Sequence, residues 1–417
     1  MQVVLPEQVL DQGVVRLQVI EARVGKVTVA GNRNVDEANV RRSLPELREG
    51  TIPNIGRISQ SLRLANENPA KKTNLSLQSA ERDGEVDVAL QVADERPWAL
   101  TALVANNGTP QTGRTNTSVQ LQHFNLLGMD DVISGQYTTT AEHPGRVSVY
   151  GGGYHLPLYA LGDSMDFFGS YSDVDAGTVA AGGLNLQVSG KGTVLGTRYN
   201  YNLERIGGYT SKIVSGIDYK AFRNSVDLQG VQLGNNATVR PFILGYVGEN
   251  VSAVTNTLFS VTGSHNLPGA ENGHAADLQQ ARSGASAHYT LVRYAALHVM
   301  PVPGGVMNEW QIRLALSGQW TRDALIPGEQ FGAGGATTVR GFTERALAND
   351  RGFVGSVELL QVLGSQLGLQ GAFWDWLGEL DFETLGYGIV ALFLATAFEG
   401  GRHARRVAQL AELEEEF

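Results

Sequence analysis

Cysteine is absent from the 417 residues, which excludes disulfide bonds, thiolate metal sites and a cysteine nucleophile. Charge is also scarce, since only 18% of the residues are Asp, Glu, Lys or Arg, and the formal net charge is −10. A chain with this acidic balance does not present a general nucleic-acid-binding surface. The 51 glycines and the mean hydropathy of −0.12 fit neither a helical membrane bundle nor an ordinary cytosolic α/β enzyme.

Motifs for catalysis, nucleotide binding and metal binding are missing as well. The eight histidines show no metal-type spacing, and no Gly-x-Ser-x-Gly elbow or phosphate-binding loop occurs. The glycines of GAGGA at 332–336 are better explained by loop turns than by a nucleotide cradle, and the carboxylates Asp130 and Asp131 are expected in a turn between strands. We therefore expect a protein that is not an enzyme and that uses no metal, cofactor, nucleotide or nucleic acid.

A compact α/β module is predicted after Gly25. The strand GKVTVAG runs into the turn GNRN, and two amphipathic helices follow in VDEANVRRSL and NIGRISQSLRLANENP. The segments TNLSLQSA and EVDVALQVAD then form a hairpin across ERDG, whose Asp-Gly pair is a turn signal. The pattern predicts a β-α-α-β-β unit at residues 23–96.

The order and spacing of these elements resemble a POTRA domain, the periplasmic polypeptide-binding module in front of outer-membrane protein-translocating barrels. The preceding segment, LPEQVLDQGVVRLQVIEARV, is similar to the end of a first POTRA domain in the two-partner secretion transporters, with Pro6, Gln8 and the run Val19-Ile20-Glu21 in matching places. On this resemblance, residues 1–22 close a first POTRA domain, and most of that domain is expected to be missing. No basic region followed by an apolar run opens the chain, so no secretory signal is expected in it.

A POTRA domain of this kind implies a site for an extended client peptide. An exposed strand edge and the adjoining helix offer backbone groups and an apolar groove to such a peptide. The candidate groove residues are Ile55, Ile58, Leu62, Leu75 and Leu77. The alternative, that these side chains only fill the core of the domain, stays open for each of them.

Long amphipathic strands are predicted after Pro97, and NEWQIRLALSGQWT at 308–321 shows the pattern most clearly. One face of this segment carries Trp310, Ile312, Leu314, Leu316 and Trp320, and the other carries Gln311, Arg313, Ala315, Ser317 and Gln319. A membrane-spanning strand needs about 9–11 residues and places aromatic side chains near both interfaces. The two tryptophans at the ends of the apolar face fit this arrangement.

Similar segments recur, and we expect roughly eleven or twelve strands before residue 358. Because backbone groups in lipid must be satisfied by neighbouring strands, the repetition predicts a transmembrane antiparallel β-barrel over residues 97–357. Polar-face arginines would line a water-filled lumen; they are Arg198, Arg240, Arg293 and Arg313. Whether they would tune ion selectivity or give a passing polypeptide a polar wall stays open.

A more specific resemblance lies in IPGEQFGAGGATTVRGF, residues 326–342. In the two-partner secretion transporters and the wider superfamily of POTRA-bearing barrels, a long extracellular loop folds into the lumen with a Val-Arg-Gly-aromatic tip. The resemblance implies that Val339, Arg340, Gly341 and Phe342 are this tip. The residue types suit the role, because a guanidinium pairs bidentately with a carboxylate and glycine permits a tight turn.

The family's partner for the tip arginine is an aspartate in a Phe-x-Asp motif on a later barrel strand. This chain offers Phe373 and Asp375 in GAFWDWLG. Asp375, however, lies where the resemblance to the transporters gives way to another one. Two alternatives therefore stay open: Asp375 pairs with Arg340, or Arg340 has lost its family partner.

The tail at residues 358–417 differs in character from the strands before it. TLGYGIVALFLATAF at 384–398 is an apolar run, a charged helical segment follows, and we expect a helical tail. LGLQGAFWDWLGELDFETLGYGIVALF is similar to the C-terminal end of the nickel/cobalt permeases, although their metal-site histidine-aspartate motif is absent. The tail is thus expected to be foreign to the transporter, through a gene fusion, a frameshift or an assembly artefact. The barrel would then be incomplete.

The resemblance as a whole implies an outer-membrane transporter of two-partner secretion, of the haemolysin or adhesin type. Its POTRA region would lie in the periplasm and bind an unfolded exoprotein client, and its barrel would lie in outer-membrane lipid and conduct the client. Two alternatives remain. One is an assembly factor that inserts other outer-membrane barrels, and the other is a non-functional fusion with a permease fragment.

Overall fold

The chain folds mainly as β-structure, in a computed structural model that describes most of its residues. The described residues are 2–4, 15, 18–82, 84–106, 108, 113–145, 147–173, 177–181, 184–188, 191–223, 227–228, 231–232, 236–252, 254–302, 310–335, 338–339, 342, 345–361 and 385–394. They form two compact units, residues 1–246 and residues 247–417. Among the described residues, no α-helix combines the length and the hydropathy that a membrane span requires.

The first unit begins with the predicted β-α-α-β-β module. Its elements are β1 (Gln2–Val4), β2 (Gln18–Ile20), β3 (Arg23–Ala30), α1 (Glu37–Ser43), α2 (Ile55–Ala65), β4 (Lys71–Ser79) and β5 (Glu85–Asp94). β1 and β2 pair with each other, while β5 lies between β3, to which it is parallel, and β4, to which it is antiparallel. The predicted order of strand, two helices and hairpin is confirmed.

Local chemistry explains where the two helices begin. The Asp36 side chain accepts a hydrogen bond from the Asn39 amide at 2.6 Å, and the Asn54 side chain accepts one from the Arg57 amide at 3.1 Å. Each cap satisfies an amide that has no partner within its helix. The helices then bury their apolar stripes against the sheet in one conventional core: Val24, Val27, Val35, Val40, Leu44, Leu47, Ile58, Val88, Leu90 and Val92.

The rest of the first unit is a run of antiparallel strands. They are β6 (Trp98–Ala105), β7 (Asn116–His123), β8 (Val132–Thr140), β9 (Val149–Leu158), β10 (Asp163–Ser172), β11 (Gly177–Ala181), β12 (Leu184–Val188), β13 (Gly192–Asn202), β14 (Tyr209–Phe222), β15 (Asp227–Leu228), β16 (Val231–Gln232), β17 (Ala237–Val239) and β18 (Pro241–Val251), in which the boundary between the units falls. Neighbours along β6-β7-β8-β9-β10-β13-β14 are hydrogen-bonded, β17 also pairs with β14, and β11–β12 and β15–β16 are small hairpins.

The second unit also consists mainly of antiparallel strands. Its elements are β19 (Asn256–Asn266), α3 (Ala275–Ala281), β20 (Thr290–Pro301), β21 (Trp310–Thr321), β22 (Phe331–Ala333), β23 (Leu347–Asn349), β24 (Gly352–Gln361) and β25 (Leu385–Leu394). β19, β20, β21, β24 and β25 are neighbours in that order, and β22 pairs with β23. Within the described part of the chain, twelve strands of eight residues or more lie between Trp98 and Gln361, close to the number that the sequence predicts.

Burial in these strands is the reverse of that in a water-soluble sheet. In β10, Phe167 and Tyr171 are each 43% exposed, while Asp166 and Ser170 on the other face are 7% and 6% exposed. β21 shows the same alternation, with Leu316 and Trp320 exposed and Gln319 buried. An apolar outer face over a polar inner face is the pattern of a strand that faces lipid.

The predicted helical tail differs from the structure at one described stretch. Leu385–Leu394 is a strand, and it pairs antiparallel with β24 from Phe353 to Gln361. A ten-residue apolar run that is rich in β-branched, aromatic and glycine residues suits a strand as well as a helix, and it is too short to span a membrane as a helix. The strand β24 also extends past the predicted boundary at residue 357. The remainder of the tail lies outside the described residues.

Candidate functional site

The loop at residues 322–351 connects β21 to β24 and contains the predicted tip. Its two arms form a stem in which Phe331–Ala333 pair with Leu347–Asn349. Arg345, at φ 54°, fastens the arms together, because its guanidinium donates to the carbonyl oxygens of Pro327 at 3.1 Å and Gln330 at 3.2 Å. The loop thus has a folded base.

Glycines make the turn between the stem and the tip. Gly334 and Gly335 have φ values of 104° and 109°, which side chains with a Cβ rarely adopt. The Gly334 amide donates to the Thr338 hydroxyl at 2.9 Å, and the Gly335 amide donates to the Val339 carbonyl at 3.2 Å. The prediction that the run at 332–336 serves loop turns is confirmed for Gly334 and Gly335, whereas Gly332 and Ala333 belong to β22 and residue 336 lies outside the described residues.

Only part of the predicted tip can be placed. Val339 and Phe342 are half-buried, whereas Arg340, Gly341 and the proposed partner Asp375 lie outside the described residues. The neighbouring Thr338 helps to line a pocket of about 260 Å³ together with Arg313, Ser317, Val354, Ser356 and other residues of β19, β20, β21 and β24. The lumenal role of the four tip residues stays a prediction.

Arginines on the polar face of the strands pair with carboxylates of the same unit. Arg313 lies directly opposite Glu358 in the ladder, and its Nη1 is 2.8 Å from Glu358 Oε2. In the first unit, Arg198 forms a two-pronged contact with Asp218, at 2.5 Å and 3.1 Å. Each pair keeps its position on the polar face hydrophilic while the carboxylate neutralises the charge of the arginine.

The predicted client groove contains residues of two kinds. Ile58 is 8% exposed and belongs to the domain core, and Leu62 and Leu75 pack against that core. Ile55 and Leu77 are 71% and 57% exposed. Because α2 reverses into β4, the first turn of α2 and the last residues of β4 lie at the same end of the pair. β4 is also an edge strand of the described sheet.

A second group of polar residues joins the β-α-α-β-β module to the strand turns of the first unit. Lys71, at the start of β4, places Nζ 2.5 Å from Asp130 Oδ2 and 2.9 Å from Asn39 Oδ1. Both partners of this ion pair are buried, with side chains 1% and 2% exposed. The Tyr159 hydroxyl donates to the same carboxylate oxygen at 2.7 Å. Asp130 therefore lies at the centre of a buried polar junction.

Side chains of α1 and α2 extend this junction to the three strand turns at the ends of β7, β9 and β13. Asn39 and Arg42 both donate to the Gly128 carbonyl, at 2.9 Å and 2.7 Å. Gln60 donates to the carbonyl oxygens of Gly162 and Asn202, at 3.2 Å and 3.0 Å. Leu64 and Ala65 pack against the Tyr159 ring. The module is thereby held against the ends of β7, β9 and β13.

Burial governs the acid-base behaviour of the junction. It lowers the pKa of the Lys71 amine, and the charge and hydrogen bond of Asp130 act in the opposite direction. Burial, followed by the charge and hydrogen bond of Asp130, raises the pKa of the Tyr159 phenol far above its ordinary value. Tyr159 consequently remains a proton donor to the carboxylate.

Sequence reasoning placed Asp130 in a turn between strands, which is confirmed, but it did not foresee the partners of Asp130. Lys71 and Asp130 are 59 positions apart, and each is an ordinary charged residue in its local pattern. The one available signal was the lysine pair Lys71-Lys72 at the start of an alternating strand, where one of the two side chains must point toward the buried side.

The family model for the haemolysin secretion/activation proteins ShlB/FhaC/HecB matches residues 84–372. This match covers more than half of the chain and includes every long strand from β6 to β24. The chain belongs to this family. As a member of the ShlB/FhaC/HecB family, it has the mainly β fold of a POTRA module followed by antiparallel barrel strands, located in the outer membrane with the POTRA region in the periplasm.

Individual relatives agree with the family. The outer membrane transporter CdiB of Escherichia coli is 25% identical over 368 residues, which is 84% of this chain and 58% of that protein. The solved structure of CdiB from Escherichia coli superimposes with a TM-score of 0.70 at 21% identity, covering 87% of this chain and 66% of the other. This chain therefore spans about three-fifths of the length of the curated transporter that it matches.

A second, much shorter similarity concerns a different kind of protein. The nickel transporter NicT of Mycobacterium tuberculosis is 58% identical over 43 residues, which is 10% of this chain and 12% of that protein. The expected resemblance to nickel transporters is thus confirmed, over a segment too small to be a transport unit. No described group of His, Cys, Asp or Glu in this chain is arranged to hold a metal ion.

Proposed function

We propose that this chain acts in two-partner secretion, as an outer-membrane transporter that binds an unfolded exoprotein at its POTRA module and conducts it past the polar face of its strands. The observation that carries the proposal is the combination found in the first unit. A module with an edge strand and the exposed apolar side chains Ile55 and Leu77 is joined to strands whose apolar side is exposed and whose polar side is buried. Family membership favours secretion over other uses of such strands.

The client contact is proposed at the end of the groove between α2 and β4. A peptide that pairs with the free edge of β4 would gain backbone hydrogen bonds, and its apolar side chains would cover Ile55 and Leu77. Ile58, Leu62 and Leu75 support this surface from the core side. Of the five predicted groove residues, the two exposed ones are thus proposed as direct contacts.

The polar face suits passage without tight binding. Three of the four predicted polar-face arginines, Arg198, Arg293 and Arg313, pair with carboxylates. At these positions a passing backbone would meet polar groups without an unpaired positive charge. The Arg340 tip is proposed to occupy this polar space when no client passes. We propose no nickel transport and no nucleotide, since client folding on the far side can bias the direction of passage.

Peptide binding to the groove is the direct test of the client contact. An unfolded amino-terminal fragment of a secreted β-helical exoprotein is the probe, and its affinity for the purified chain is measured by fluorescence anisotropy. Leu77→Asp should weaken binding about tenfold, because a buried leucine contributes about 1.5–3 kcal/mol. Gln78→Asp, on the next residue and the opposite face of the same strand, is the matched control and should leave the affinity unchanged.

The same assay separates secretion from barrel assembly. Tighter binding of an unfolded outer-membrane barrel protein than of the exoprotein fragment would favour the assembly-factor alternative. Equal weakening by Leu77→Asp and Gln78→Asp would contradict the proposed groove.

A further inference from the structure

The stem of the loop at residues 322–351 meets the polar face of β20 and β21 through a buried cluster of side chains. Glu329 and Gln319 are 1% and 2% exposed, and Arg293 lies directly opposite Gln319 in the ladder. Burial of a carboxylate and an amide at this level is costly unless every polar atom is paired. The pairing found here is concentrated on Gln319.

Gln319 uses both of its side-chain N–H donors on the loop, and its side-chain oxygen accepts from Arg293. Its Nε2 donates to the carbonyl oxygen of Glu329 at 3.0 Å and to that of Asp350 at 2.9 Å. Its Oε1 accepts from Arg293 Nε at 2.8 Å. Glu329 precedes β22 and Asp350 follows β23, so one amide group joins both arms of the stem to the strand wall.

Charged groups reinforce both ends of this bridge. Arg293 Nη2 is 3.1 Å from Glu329 Oε2, so the cation that orients Gln319 also pairs with the buried carboxylate. Asp350 accepts from Arg282, from the Leu325 amide at 3.2 Å and from the Gln330 side chain at 3.0 Å. The carbonyl oxygens that Gln319 bridges are therefore themselves held in place.

We infer that Gln319 is a positioning residue that clamps the base of the loop against the polar face of the strands, independently of the Val-Arg-Gly-Phe tip. The clamp acts on both arms at once, so it keeps the paired arms of the stem closed against the strands. This inference goes beyond the proposed secretion role, and its test requires no client.

The absence of cysteine makes a single engineered thiol a clean reporter. Ala333, in β22, is buried, so an Ala333→Cys thiol reacts with a charged maleimide only when the stem opens. In this background, Gln319→Met keeps the side-chain length and removes all three hydrogen bonds. Gln311→Met is the matched control, on the same strand and the same face but at the exposed end.

We expect Gln319→Met to speed maleimide labelling about tenfold in detergent micelles, since two hydrogen bonds to the loop are lost. Gln311→Met should leave the rate within about twofold of the parent. Hydrogen exchange is the second measurement and needs no thiol. In Gln319→Met, the amides of β22 and β23 should exchange faster while those of the β20–β21 ladder stay protected.

Equal labelling of the two variants would overturn the clamp. So would stem amides that exchange freely in the unaltered chain, a result that remains informative even if Gln319→Met fails to fold. Loss of protection in β20 and β21 together with the stem would show a general structural role in place of a positioning one. Failure of peptide binding at the POTRA groove would leave these outcomes unaffected.

Discussion

The POTRA module and the strands joined to it bury opposite kinds of side chain. The module has a conventional core in which Val40 and Leu90 are almost fully buried, while its charged residues are mostly at the surface. The strands expose Leu121 and Leu195 and bury Asp166 and Asp218. Both parts alternate apolar and polar residues, so alternation alone does not decide which face is covered. An exposed apolar face over a buried polar face is the pattern of strands that face lipid.

The junction between the POTRA module and the strands contains the buried ion pair of Lys71 and Asp130. We expect substitutions at this ion pair to have the largest effect on stability. Lys71→Met leaves the Asp130 carboxylate buried without its cation, which should cost about 3–5 kcal/mol in the stability of the module on the strand turns. Hydrogen exchange at the amides of α1 and β4 measures this loss. Lys72→Met, at the adjacent exposed position, is the control and should cost less than about 1 kcal/mol.

A double variant tests whether the cost of Lys71→Met comes from the unpaired Asp130 carboxylate. Lys71→Met combined with Asp130→Asn removes both charges, and asparagine tolerates the positive φ of 60° at this position. Recovery of at least half of the lost protection would show that the cost lies in the uncompensated carboxylate. No loss in Lys71→Met itself would mean that the junction does not hold the module in solution.

A smaller effect should distinguish the two faces of a single strand. Leu121→Arg places a cation on the exposed apolar face of β7, whereas Gln120→Arg places it on the polar face one residue earlier. In phospholipid vesicles, Leu121→Arg should lower the free energy of unfolding by about 2 kcal/mol and Gln120→Arg by much less. Urea titration of the vesicle-inserted chain measures both. Equal losses in the free energy of unfolding for Leu121→Arg and Gln120→Arg would contradict the assignment of one apolar and one polar face to β7.

Much of the fold follows from local pattern. The order of the POTRA elements can be predicted because capping residues, amphipathic periods and an Asp-Gly turn all indicate the same elements. The barrel strands can be predicted as a set because segments such as 308–321 alternate apolar and polar residues over the length needed to cross a membrane. The stretch 385–394 was misjudged because a ten-residue apolar run carries no period that separates strand from helix.

The sites were less accessible to sequence reasoning. The sequence motif at 326–342 identified the loop but not its stem. The roles of Gln319, Glu329 and Asp350 depend on the register of the strand ladder and on contacts across the loop, which no local pattern predicts. Lys71 and Asp130 likewise meet only because a helix reversal and a strand turn are brought together. Among the groove residues, periodicity identified the apolar face but could not tell Ile58, which is in the core, from Ile55, which is exposed.

The central claim, that the exposed apolar face lies against lipid and the buried face does not, can be measured directly. Leu121→Cys and Gln120→Cys, each the only thiol in its chain, are labelled with the same fluorophore and reconstituted in vesicles whose acyl chains contain a nitroxide quencher. The account predicts that the label at Leu121 is quenched by the acyl-chain nitroxide and shielded from aqueous iodide, with the reverse at Gln120. Iodide quenching at both positions, with no quenching by the lipid, would contradict it.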